Sequence, residues 1–272
     1  MTGLERLTRG MLVATDLDGT LVPKDSMTVP PYTARVLRDI DDAGIPVVFT
    51  TGRPLRWVEP LREFIGAHGI AIVSNGALTY DMRTNRAGRT HGIEAAPGLA
   101  VAAEISEALP GAQLALEFPD GIRVTPAFAQ ASPRDGAPCG ELDALWTEPA
   151  IKLLVRDPSV PDEVLRDTVT ATVGDRVTVT WSIPGLIEIS ASGITKAHAL
   201  EGLCAELGVA ATDVIAFGDM PNDLPMLAWA GTAYAVHDAH ESVRAIADHE
   251  IPSCHDEGVA QTLARLFEGS AL

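Results

Sequence analysis

The sequence predicts an α/β protein: a layered domain with a parallel sheet, interrupted by an α+β insert. Three observations carry this prediction. Short apolar runs bounded by turn residues alternate with segments of helical spacing between Met11 and Val73, which is the rhythm of right-handed βαβ units. The same rhythm returns from Gly193 to Phe267. Between them, from about Tyr80, the texture changes to strands of mixed pattern with few helices.

The elements follow in order. Met11 to Ala14 is an apolar run that ends in Asp16-Leu17-Asp18-Gly19-Thr20, so a buried strand is expected to carry both carboxylates at its carboxyl end. Pro30 to Ala43 has Val36, Leu37 and Ile40 at helical spacing, with proline at its start and Gly44 at its end. Ile45 to Phe49 reads as the second strand, with Pro46 at its beginning, and runs into Thr50-Thr51-Gly52-Arg53-Pro54. A helix is expected over Leu55 to Gly66 and a third strand over Ile70 to Val73, stopping at Ser74-Asn75-Gly76.

In the insert, Arg83 to Arg89 reads as a polar turn and Ala95 to Leu109 as a helix. Gln113 to Phe118, Ile122 to Val124, Ile151 to Val155, Val177 to Trp181 and Leu186 to Ile189 read as strands. Pro126 to Pro149, rich in Pro, Gly and Ala, is expected to be loop with room for one short helix. After it, Thr195 can cap a helix that Gly208 ends. Val214 to Phe217 is a buried strand ending at Gly218-Asp219-Met220-Pro221-Asn222-Asp223, followed by a helix over Leu224 to Ala230, a strand over Ala233 to Val236 and a last helix over Val259 to Phe267.

Composition bounds the function. The 272 residues carry 20 basic and 37 acidic side chains, a formal charge of −17 that repels nucleic acid and anionic membranes at long range. No apolar stretch reaches the roughly 18 residues of a membrane helix. Met1 to Gly10 lacks the apolar core of a secretory signal, and Cys139, Cys204 and Cys254 are odd in number and widely spaced, so a reducing, cytoplasmic setting is expected without a disulfide framework or zinc site. The tail Glu268 to Leu272 is expected to fray.

Parallel strands point the same way, so Asp16 with Asp18, Thr51, Lys196, and Asp219 with Asp223 are expected to converge at one sheet edge. Carboxylates with few positive neighbours suit a hard cation such as Mg2+, with Asp16 and Asp219 as ligands, and that cation would let a phosphate approach an acidic chain. Thr51 can donate a hydrogen bond to a phosphate oxygen, and Lys196 at a helix start adds its charge to the helix dipole. Asp16 is placed to attack phosphorus, and Asp18 to protonate the leaving oxygen if the chain turns at Gly19.

These residues carry a resemblance. Asp16-Leu17-Asp18-Gly19-Thr20-Leu21, Thr51-Gly52-Arg53, Lys196 and Gly218-Asp219-Met220-Pro221-Asn222-Asp223 are similar, in order, to the four motifs of the haloacid dehalogenase superfamily. Ser74-Asn75-Gly76-Ala77 and the insert of about 110 residues resemble its Cof-like branch with a type IIB cap. Met220-Pro221 departs from the small residues usual there but leaves both aspartates in place.

The resemblance implies a Rossmann-like core over residues 1–80 and 191–272 and a cap over 81–190 that closes on the substrate and selects the leaving group. It implies Mg2+ dependence, Asp16 as nucleophile and Asp18 as general acid/base. It assigns Thr51, Gly52, Lys196 and Asn222 to the phosphate, and Asp16, Asp219 and the main-chain carbonyl of Asp18 to the metal, with Asp223 either a ligand itself or a partner of the ligands. The expected activity is hydrolysis of a small phosphorylated metabolite, a sugar phosphate first, through an aspartyl phosphate. The alternatives are a phosphomutase of phosphomannomutase type and a non-catalytic receiver-like module. His91, Arg123, Lys152 and Glu188 are the cap candidates for choosing the leaving group.

Overall fold

Strand β1 (Leu12–Thr15) is buried along its whole length because both faces of a parallel sheet are covered, which is why it reads as an unbroken apolar run. The computed structural model describes residues 10–24, 26–64, 69–131, 136–181 and 183–267. The expectations for residues 1–9, for the end of the helix expected at Gly66 and for the tail Glu268 to Leu272 lie outside the described residues.

After β1 come α1 (Pro31–Asp42), β2 (Val47–Thr50), α2 (Leu55–Val58), β3 (Ile70–Val73), β4 (Leu78–Asp81) and β5 (Arg86–Thr90). α2 tightens into a 3-10 turn over Glu59–Phe64, so the helix expected to start at Leu55 is much shorter in α-form. The middle of the chain gives α3 (Ala95–Ala108), β6 (Gln113–Phe118), β7 (Gly121–Val124), α4 (Pro126–Ala131), α5 (Leu142–Leu145), β8 (Lys152–Arg156), α6 (Asp162–Val173), β9 (Val177–Thr180) and β10 (Ile187–Ala191). The last third gives α7 (Lys196–Leu207), β11 (Val214–Gly218), α8 (Leu224–Trp229), β12 (Thr232–Val236), α9 (Glu241–Arg244), β13 (His249–Ile251) and α10 (Gly258–Leu266).

The chain divides into two compact units, residues 1–89 with 195–272, and residues 90–194. The first holds an eight-stranded sheet in the order β13-β12-β11-β1-β2-β3-β4-β5. Strands from β13 to β3 run parallel, with β1 between β11 and β2, and β4 turns back antiparallel on β3. Its core packs Leu12, Val13, Val48, Phe49, Ile72 and Phe217 against Val36, Leu37 and Ile40 of α1 and Leu200 and Leu203 of α7.

The second unit is a five-stranded sheet in the order β7-β6-β8-β10-β9, antiparallel at every pairing. Alternation gives its two faces different fates. Leu114, Leu116, Phe118, Leu153, Val155, Ile187 and Ile189 point to the face covered by α3 and α6 and form one core with Val101, Ile105, Leu165 and Val169.

Several expectations are corrected. Arg83 to Arg89 is not simply a turn, because residues 86–90 form β5, an edge strand of fully exposed residues whose apolar signal is absent and which is held by backbone pairing. Its pairing carries the first unit past residue 80 to Arg89. Pro126 to Pro149 holds two short helices, α4 and α5. α6 was not anticipated, although Pro161 precedes it, Asp162 and Glu163 fill its first turn, and Leu165, Val169 and Val173 are buried at intervals of one turn.

Candidate active site

The carboxyl ends of β1 and β11 lie side by side, with Thr15 registered on Phe217, so Asp16 and Asp219 leave neighbouring strands at the same level. The N–H of Asp16 donates to the Phe217 carbonyl at 3.0 Å, the last link before the chain turns away. That turn starts earlier than Gly19: the N–H groups of Leu21 and Val22 both donate to the Leu17 carbonyl at 3.0 Å. Asp18 is thereby carried out of the strand and lands apart from Asp16.

Asp16, Asp219 and Asp223 form one buried cluster, with an oxygen from each within 4.8 Å of the others. Lys196, fully buried, binds two of them, with Nζ 2.5 Å from Asp16 Oδ1 and 2.6 Å from Asp223 Oδ1. It is the first residue of α7, whose start is fixed by Thr195, the side chain of which accepts from the His198 N–H. Asp223 is further held at Oδ2 by the N–H groups of Asp219 and Met220, each at 3.0 Å. Asp219 Oδ1 accepts from the Thr20 hydroxyl at 2.9 Å, and Lys24 Nζ stands 3.9 Å from its other oxygen.

Three acids against one buried ammonium leave the cluster short of positive charge. Burial pushes the Asp16 carboxyl well above the usual carboxylate range, against the pull of Lys196, and Asp223 and Asp219 add to the rise. Burial and Asp223 push Asp219 up to about 7, against the Thr20 hydrogen bond, Lys24 and Lys196. Burial works against the Lys196 ammonium, but the Asp16 and Asp223 carboxylates outweigh it and hold its pKa above the ordinary lysine value. Hard oxygen donors, gathered and under-compensated, fit Mg2+ and no soft metal.

Asp18 has another partner. Arg53 grips both of its oxygens, Nε to Oδ2 at 2.7 Å and Nη2 to Oδ1 at 2.6 Å, a fork-on-fork ion pair with the arginine buried. Thr51 is buried and its Oγ1 accepts from the Arg53 N–H at 3.0 Å, which leaves the hydroxyl hydrogen free to donate. Gly52 forms the half-buried bend between them. The Thr51 carbonyl accepts from the Asn75 N–H at 2.9 Å, and the Asn75 side chain accepts from Asn222 Nδ2 at 3.1 Å. The strand-end segments are thus tied to one another by hydrogen bonds.

Two backbone features serve this arrangement. Gly19 has φ +86°, and a Cβ there would stand 2.5 Å from Asp219 Oδ2, so only glycine allows the two strand ends to meet. Ser74, Asn75 and Gly76 all lie in the left-handed region, a strained run that presses against the start of α7, where a Cβ on Gly76 would collide with the Thr195 carbonyl. The roles of Thr20, Lys24, Arg53 and Asn75 escaped the sequence reading. Thr20 and Arg53 stood inside recognised motifs, but nothing in the chain order pairs Thr20 with Asp219 or Arg53 with Asp18.

Carboxylates, a buried lysine and a threonine hydroxyl on the carboxyl ends of a parallel sheet are the equipment of a phosphoric monoester hydrolase. The comparisons agree. The chain belongs to the haloacid dehalogenase-like hydrolases, whose family model matches residues 13–116 and 137–263. It is 30% identical to the phosphoglycolate phosphatase of Methanopyrus kandleri over 94% of this chain and 97% of that one. It is 27% identical to the 5-amino-6-(5-phospho-D-ribitylamino)uracil phosphatase YcsE of Bacillus subtilis, over 93% of this chain and 94% of that one. Its fold matches that of the phosphatase BT1666 from Bacteroides thetaiotaomicron, with TM-score 0.80 at 22% identity, covering 96% of this chain and 95% of the other.

Proposed function

We propose that this phosphatase hydrolyses a small phosphorylated metabolite, a sugar or polyol phosphate, through an aspartyl phosphate on Asp16, with Mg2+ as cofactor. The observation that carries the reading is the buried Lys196 holding Asp16 Oδ1 and Asp223 Oδ1 beside Asp219. Asp16, Asp219 and Asp223, with the Asp18 main-chain carbonyl, would hold the cation, which supplies charge neutralisation for an incoming phosphate.

Lys196 fixes one oxygen of Asp16 and leaves Oδ2 for in-line attack on phosphorus. The P–O ester bond breaks as the Asp16–phosphorus bond forms, while the Thr51 hydroxyl, the Gly52 backbone, Lys196 and Asn222 bind phosphoryl oxygens. The Asp18 carboxyl passes its proton to the leaving alcohol and then takes one from the water that cleaves the aspartyl phosphate. Because Arg53 engages both Asp18 oxygens, proton transfer requires Asp18 to release at least one arm of that pair. Arg53 therefore acts as a latch on the acid/base.

Among the described residues no helix is long and apolar enough to cross a membrane. The three cysteines are free, which supports a reducing, cytoplasmic setting. The test is a screen of phosphorylated metabolites with and without Mg2+, read as free phosphate. Phosphate release that requires Mg2+ supports the reading. An isomeric ester in place of free phosphate would favour the phosphomutase alternative.

A further inference from the structure

The proposed hydrolysis makes no use of Ser74-Asn75-Gly76, yet the run costs the fold strain. Its three φ angles are +53°, +56° and +101°, and two of its residues carry a Cβ. Asn85 and Glu257, the other non-glycine residues with positive φ among the described ones, each stand alone. The run follows β3, which lies parallel to β2 in the first unit, so it emerges at the carboxyl edge that carries Thr51.

What the strain secures is visible in the hydrogen bonds. The Ser74 N–H donates to the Arg53 carbonyl and the Asn75 N–H to the Thr51 carbonyl, each at 2.9 Å. Adjacent N–H groups of an extended strand point to opposite neighbours, so both reach one segment only because the chain has left the β conformation. One residue further on, the Gly76 backbone lies so close to the start of α7 that a Cβ would stand 2.2 Å from the Thr195 carbonyl oxygen. The Asn75 side chain makes the third link. Its Oδ1 accepts from Asn222 Nδ2 at 3.1 Å, and both side chains are buried. Asn222 Oδ1 has no partner among the described residues, so the bond to Asn75 sets the plane of the Asn222 amide and leaves the second Nδ2 hydrogen for another acceptor.

We propose that Asn75 is a positioning residue for phosphoryl transfer, holding the Asn222 amide and the Thr51 main chain in one fixed relation so that both bind the same phosphoryl group. This rests on the phosphatase reading above. The residue type meets both demands: asparagine is one of the few residues with a Cβ that tolerate left-handed backbone, and its side-chain oxygen supplies the acceptor. Glycine would keep the turn and lose the acceptor. Aspartate would keep both but add a negative charge next to Asn222, in a site that must admit a phosphate.

The test follows the hydrolysis of p-nitrophenyl phosphate with Mg2+ by folded variants of the full chain. Asn75→Gly, which keeps the turn and its N–H, is expected to lower kcat at least about tenfold with KM within about threefold. Asn222→Ala is expected to cost a similar factor, and the double variant no more than about twofold beyond the worse single one, because the two side chains act as a unit. Asn75→Asp, with turn and acceptor kept, is expected to hold kcat within about threefold, any cost of its charge falling on KM. A smaller loss of kcat in Asn75→Gly overturns the proposal, as do losses that multiply in the double variant. So does an Asn75→Asp variant whose kcat falls as far as that of Asn222→Ala, and this comparison decides if Asn75→Gly does not fold. Failure of the unmodified chain to release phosphate would instead overturn the phosphatase reading, and this proposal with it.

Discussion

The molecule contains two buried lysines flanked by acids, and they are built in opposite ways. Lys196 is reached by Asp16 and Asp223 from strand ends and a loop far apart in the chain, all at the carboxyl edge of a parallel sheet. Lys152 is reached by Glu188 from a neighbouring antiparallel strand, in the middle of a sheet face, with Glu117 across from it on the other side. The first cluster has a third acid, Asp219, and an exposed lysine, Lys24, beside it, which is why it is proposed to take a cation and a phosphate together. The second holds Ser190 two residues along β10 from Glu188, with its buried Oγ unpartnered among the described residues. The first cluster is gathered by chain segments that meet at strand ends, the second by residues that neighbouring strands set side by side.

Changes in the two clusters should therefore differ in kind. Asp16→Asn is expected to lower phosphate release at least about a thousandfold for every ester alike, with the melting temperature retained, because it removes the proposed attacking group. A ranking of esters that changes with this variant would break the contrast. Removal of divalent cations with EDTA is expected to lower turnover at least about a hundredfold, and Mg2+ to raise the melting temperature of the unmodified chain but not of Asp219→Ala. Equal Mg2+ stabilisation of both would place the cation elsewhere.

Gly19→Val is expected to lower kcat by at least about tenfold and stability by about 1–2 kcal/mol, since its Cβ meets Asp219 Oδ2 from a left-handed backbone. Denaturant melts and steady-state kinetics measure both. Arg53→Lys is expected to lower kcat by about tenfold with KM nearly kept, because a single ammonium cannot aim the Asp18 carboxyl as the two-pronged guanidinium does. The smallest effect belongs to a residue outside both clusters. The Glu257 carboxylate accepts from the N–H and hydroxyl of Thr33 in the first turn of α1, and Glu257→Ala is expected to cost about 1 kcal/mol in a denaturant melt without changing the ester ranking.

The carboxyl-edge cluster was legible in the chain because each member follows a buried strand or starts a helix, positions that apolar runs, Gly and Thr caps announce. Lys196 at the start of α7 and Asp219 after β11 fell where expected. Among the elements that escaped, β5 lacks an apolar pattern, α6 has one broken by polar residues, and β4, α9 and β13 are segments too short to display a period.

By itself, then, the sequence determined the alternating α/β core, the insert and the strand-end and helix-start positions of the site, because burial of backbone and apolar side chains imposes a local period that residues display one after another. Only the tertiary structure decided who meets whom. The Arg53 grip on Asp18, the Thr20 hydroxyl on Asp219 and the shared face of Glu117, Lys152 and Glu188 depend on strand order and register. A register is settled by packing across the whole sheet, and a shift of one residue in β6, β8 or β10 would turn Glu117, Lys152 or Glu188 to the opposite face.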